Sequence, residues 1–101
     1  MELNIIERLM ALDILTTVSG NFATLKIVRD LQNNLSFTEA ETEQIKLTTD
    51  EKGFHWDGEI TKDIDFGKTG TEIIVKILKK LDAEEKLTQN YYSLYEKFME
   101  V

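Results

Sequence analysis

The chain has 101 residues, a net charge of −7, 42% hydrophobic and 31% charged residues, and neither cysteine nor proline. This size gives a single domain, residues 1–101, with a modest core and no deep pocket between domains, and the composition argues against disorder. The apolar runs fall far short of the ~20 residues of a membrane helix, charges at Glu2, Glu7 and Arg8 interrupt any export signal, and thiolate or disulfide chemistry is excluded, so a cytoplasmic protein with no membrane contact is expected.

In chain order, Ile5, Ile6, Leu9, Met10 and Leu12 follow a helical period within Leu3 to Leu15, with Glu7, Arg8 and Asp13 on the opposite face. Thr16 to Gly20 reads as a loop. Asn21 is a good N-cap for a second helix whose stripe is Phe22, Leu25, Val28, Leu31 and Leu35, and the two helices are expected to form an antiparallel hairpin. Thr38 and Glu41 form a capping-box pattern that implies a short helical turn. From Gln44 the alternation of Ile45 and Leu47 with polar residues suggests a strand, Asp50 to Gly53 a turn, and Phe54 and Trp56 the returning strand of a β-hairpin.

Ile64 and Phe66 alternate with Asp63 and Asp65 in a weaker third strand. Trp56 and Phe54 are expected to lie with them on the core side of the small sheet. Thr69 and Glu72 repeat the capping-box pattern and predict a helix through Leu81 with Ile73, Ile74, Ile77, Leu78 and Leu81 on one stripe. Thr88 is read as the cap of a last helix bearing Tyr91, Leu94, Tyr95 and Phe98. The fold class is α+β: two N-terminal helices, a small antiparallel β-hairpin or three-stranded meander, and two C-terminal helices.

Charge is uneven along this order. Residues 36–68 hold nine acids against four bases and so contribute −5 of the net −7. Such a surface repels phosphate, which disfavours nucleic-acid binding and favours a basic partner. Glu39, Glu41, Glu43, Asp57, Glu59, Asp63 and Asp65 are the candidates for a negative face that imitates nucleic-acid phosphates.

No pattern carries catalysis. Gly67-Lys68-Thr69 sits between a strand and a helix as a phosphate-binding loop does, yet the glycine that motif needs five positions earlier is Lys62. His55, Asp57, Asp63 and Asp65 could gather on a hairpin, but their spacing matches no known metal motif, and no serine motif accompanies the lone histidine. No enzyme activity, cofactor or metal is expected. A winged helix-turn-helix would read nucleic acid with Lys26, Arg29, Gln32 and Asn33 of the second helix, two cations being few for that purpose.

The segments Gly20-Asn21-Phe22-Ala23-Thr24-Leu25-Lys26-Ile27-Val28-Arg29-Asp30-Leu31, Glu85-Lys86-Leu87-Thr88 and Ser93-Leu94-Tyr95-Glu96-Lys97-Phe98 resemble small uncharacterised proteins of tailed bacteriophages and prophages. The resemblance implies no activity and no site residue; it implies a bacterial host cytoplasm and a partner-binding role. The leading expectation is thus a small acidic protein-interaction module, a phage accessory protein acting on a host or phage protein, with a winged-helix-like nucleic-acid-binding regulator as the alternative. Partner contacts are expected at Asp63 and Asp65 in the acidic middle, and at Tyr92 and Met99, which widen the apolar arc of the last helix beyond what one neighbour covers and so suit another protein or a second copy of the chain.

Overall fold

Asn4 sets the first helix in place. Its side chain accepts the Glu7 N–H at 2.8 Å while the Glu7 carboxylate accepts the Asn4 N–H at 2.9 Å, a reciprocal capping box. Helix α1 therefore runs Ile5–Leu15, and Leu3 belongs to a two-residue strand, β1 (Glu2–Leu3). The computed structural model describes residues 1–100. Helix α2 (Phe22–Leu35) starts where the sequence indicates, with Asn21 Oδ1 accepting the Thr24 N–H at 2.9 Å.

The capping box of Thr38 and Glu41 forms and launches helix α3 (Glu39–Ile45). The strand expected from Gln44 is absent there, because two alternating residues cannot outweigh a helix already nucleated and anchored by the buried Ile45. Lys46 ends α3 in the left-handed region at φ 52°, and the Leu47 N–H closes on the Thr42 carbonyl at 3.0 Å, as in a Schellman ending. The hairpin starts later, as β2 (Thr48–Asp50) and β3 (Gly53–His55), with Thr48 opposite His55 and Asp50 opposite Gly53. Gly53 supplies a φ of 110° that a side-chain-bearing residue rarely adopts.

Strand β4 (Lys62–Asp63) does not extend the hairpin into a meander. It pairs antiparallel with β1, Glu2 opposite Asp63 and Leu3 opposite Lys62, so the fold holds two separate two-stranded sheets. Helix α4 (Gly67–Ala83) begins two residues before Thr69, and the Thr69–Glu72 capping box is not made. The earlier start follows from Gly67 at φ 64° and from Asp65, whose Oδ1 accepts the Gly67 N–H at 3.0 Å. A 3-10 turn, Gln89–Tyr91, precedes α5 (Tyr92–Met99); Thr88 stands before that turn without a capping side-chain bond.

The two C-terminal helices complete the α+β arrangement. Helices α2 and α5 each pack on both α1 and α4. Leu3, Ala11, Ile14, Leu15, Leu31, Leu35, Ile64, Ile74, Leu78 and Leu94 are buried between them. A Cβ on Gly70 would meet the Leu31 methyls at 3.2 Å, so the missing side chain sets how closely α4 approaches α2. Phe66 and Phe98 meet edge to face with centroids 5.0 Å apart.

A smaller cluster of Ile5, Leu9 and Ile45 lies apart, with Phe37, Leu47, Trp56 and Ile60 packed against it. Trp56, expected to be largely buried, is only half-buried there, and Phe54 is 52% exposed. The reason is that β3 ends at His55, before Trp56, whose ring packs only on the small Ile5, Leu9 and Ile45 cluster and lines an open groove with Ile6, Leu9 and Met10 of α1. Trp56→Ala is accordingly expected to cost about 1–2 kcal/mol in denaturant unfolding, below the ~3–5 kcal/mol of a fully buried aromatic; a loss in that higher range would place the ring in the core.

Candidate interaction surfaces

Glu7 and Arg8, read from the sequence as solvent-facing, are both buried. Arg8 turns under the α2–α3 connection. Its guanidinium donates to Glu41 Oε2 at 2.7 Å, to Glu41 Oε1 at 3.1 Å, and to the carbonyls of Leu35 and Ser36 at 3.1 and 2.9 Å, with the Phe37 ring 4.0 Å away. Arg8 holds the Glu41 carboxyl far below its ordinary value of 4.5, at about 2. For Glu7, burial pushes the carboxyl up, but the Lys97 ammonium at 2.7 Å and the Asn4 N–H, with the Ser93 hydroxyl close by, outweigh it and leave the group below its usual range. Glu7 Oε2 makes no hydrogen bond.

Perturbed carboxylates of this kind often mark active sites. Here each is tied to a cation from another element, and neither pair lines the four open grooves found among the described residues. Their role is to bind α1 to α3 and to α5. The ligand set imagined on the hairpin is not assembled: His55 Nε2 lies 3.1 Å from Asp50, Asp63 accepts the Met1 ammonium at 2.7 Å, and no three His, Asp or Glu side chains are grouped for a metal among the described residues.

The remaining expectations separate. Asp63 and Asp65 are both exposed, but Asp63 is engaged with Met1 and Asp65 with the Gly67 N–H. Glu41 of the acidic middle is turned inward to Arg8. Tyr92 is 63% exposed and lines an open groove of about 410 Å³ with Leu87, Thr88, Tyr95, Glu96 and Glu100. Met99 is half-buried, packs against the main core and does not line that groove. The Tyr95 hydroxyl donates to Asp82 at 3.2 Å, which holds its ring in one place.

A larger surface lies on α2. Phe22 and Leu25, assigned to the core stripe by their period, are 82% and 43% exposed. The stripe is wider than the neighbours that cover it, because α1 and α4 bury only Val28, Leu31 and Leu35. Phe22 and Leu25 therefore stand beside an open groove of about 450 Å³ floored by Leu15, Val18 and Val28, with Lys26 and Arg29 on its sides. A second groove shares Val18 and adds Lys76 and Lys80 of α4. Four cations and no acid line these joined grooves, on a protein whose overall charge is −7. A third apolar set, the exposed Ile6 and Phe54 with the half-buried Trp56, borders a groove of about 300 Å³ between α1 and the hairpin.

No helix among the described residues is long and apolar enough to cross a membrane. Comparison with known protein families, curated proteins and solved structures gives no match, and the surfaces themselves are what speak to function.

Proposed function

We propose that this protein is a small acidic protein-interaction module, a phage accessory protein that acts on a host or phage protein, and that it engages its partner through the α2 face. The observation that carries this is Phe22, an aromatic ring 82% exposed beside an apolar floor and flanked by Lys26 and Arg29. Aromatic and arginine side chains set around an apolar centre are the usual anchors of protein interfaces, whereas an unpartnered ring of this size costs solubility. The bacteriophage setting rests on the resemblance of the α2 and α5 segments alone.

Lys26, Arg29 and Gln32 on that same face favour the second reading, a nucleic-acid-binding regulator. The hairpin that would serve as its wing lies against α1, and it carries Asp50 and Glu51 at its tip. A photo-crosslinking amino acid placed at position 22 in a bacterial host separates the readings. A discrete protein adduct, lost when Arg29→Glu is added, is expected. Nucleic-acid adducts with a steep salt dependence would move the function to the alternative, and no adduct from a folded variant would overturn both.

A further inference from the structure

Two apolar grooves on this chain are opposite in charge. The groove on α2 is lined by cations only, Lys26 and Arg29, and its neighbour adds Lys76 and Lys80. The groove beside α5 is lined by carboxylates only, Glu96 and Glu100, around Leu87, Tyr92 and Tyr95. Their volumes are similar, about 450 and 410 Å³. Lys26 and Arg29 lie three residues apart on α2, and Glu96 and Glu100 lie four apart at the end of α5 and its C-cap, so each groove carries its paired charges within about one helical turn.

Resting on the reading of α2 as the contact face, we infer that the occupant of that face is the α5 groove of a second copy of this chain. Phe22 and Leu25 enter the groove between Leu87, Tyr92 and Tyr95, while Lys26 and Arg29 meet Glu96 and Glu100. The two grooves share no residue, so one copy offers both halves of the contact at once. The association is head-to-tail, and unless its rotation closes a ring it continues into open chains. Net charge of the same sign on every copy opposes this at long range, while the opposite charges of the two grooves favour it at contact, and salt screens both.

Contact between α2 of one copy and α5 of the next has a test that a dimer joining α2 to α2 or α5 to α5 does not pass. Phe22→Glu removes the α2 half and Tyr92→Glu the α5 half, and both side chains are exposed, so each variant is expected to melt like the wild type. In sedimentation velocity the wild type should grow in mean size with concentration, and each variant alone should weaken self-association by about tenfold or more, the effect of losing one anchor residue. An equimolar mixture of the two should form dimers and nothing larger, since one intact contact remains per pair. Exchanging the charges, Lys26→Glu with Glu96→Lys in one chain, should restore association that either substitution alone weakens.

A wild type that stays monomeric at millimolar concentration, a variant that assembles like the wild type, or a mixture that remains monomeric where the wild type associates overturns the inference. If the wild type is monomeric while the crosslinker at position 22 captures a different protein, the interaction reading stands and the second copy falls as its partner.

Discussion

Replacing Arg8 by alanine is expected to cost about 3–5 kcal/mol, a large share of the ~5–15 kcal/mol that holds a domain of this size together. The Arg8 side chain is fully buried, and its removal leaves the Glu41 carboxylate with only the Thr38 N–H and takes the Arg8 donors from the carbonyls of Leu35 and Ser36. Urea unfolding at neutral pH measures the loss. Arg8→Met with Glu41→Met should recover part of it, since an apolar pair leaves no charge behind. The same pair predicts acid sensitivity. Glu41 is held at about 2 against an ordinary 4.5, so its contribution is present above pH ~4.5 and disappears as the pH falls toward 2. With the partial exposure of Glu41 screening the charge, that contribution is on the order of 1–2 kcal/mol. In Arg8→Ala this part of the acid slope should vanish. A neutral-pH loss below about 1 kcal/mol, or an acid slope equal to that of the wild type, would show that the pair does not hold α1 to α3.

Phe98→Ala carries the next largest expected effect, again about 3–5 kcal/mol. Phe98 is buried on α5 and meets the ring of Phe66 edge to face, which joins α5 to the residue that leads into α4. Truncation leaves a cavity and removes an aromatic pair worth about 0.5–1.5 kcal/mol beyond its area. Phe98→Leu fills most of the space and should lose less than half as much. Equal losses for the two substitutions in thermal or denaturant melts would mean that the site collapses and that the ring pair is not what anchors α5.

Much of the fold was legible because its signals are local. Asn21 and Thr38 are side-chain caps, and the α2 and α3 starts followed from them. Ile74 and Leu78 recur at helical spacing and are buried where that spacing puts them. What could not be read depends on partners far along the chain. Arg8 goes inside only because Glu41, 33 residues on, is there to receive it, and β4 pairs with β1 across the whole first half of the chain. The Asn4 and Glu7 capping box was present in the sequence as a pattern and marks the true start of α1 better than the apolar period does. The exposed Phe22 and Leu25 were hidden for a different reason: periodicity reports which residues share a helix face, and says nothing of how far the neighbouring elements extend over it.

The bond from Lys97 to Glu7 spans 90 residues, and its effect reaches into how the chain is made. During synthesis α1 emerges well before α5, so the Glu7 carboxylate has no Lys97 ammonium to receive it until α5 is outside the ribosome. A nascent chain that buried this face early would bury an unpaired charge, which is strongly unfavourable. The N-terminal helices are therefore held open by their own sequence until α5 arrives, and the domain is expected to fold in one late step once α5 has emerged instead of piece by piece as it is translated.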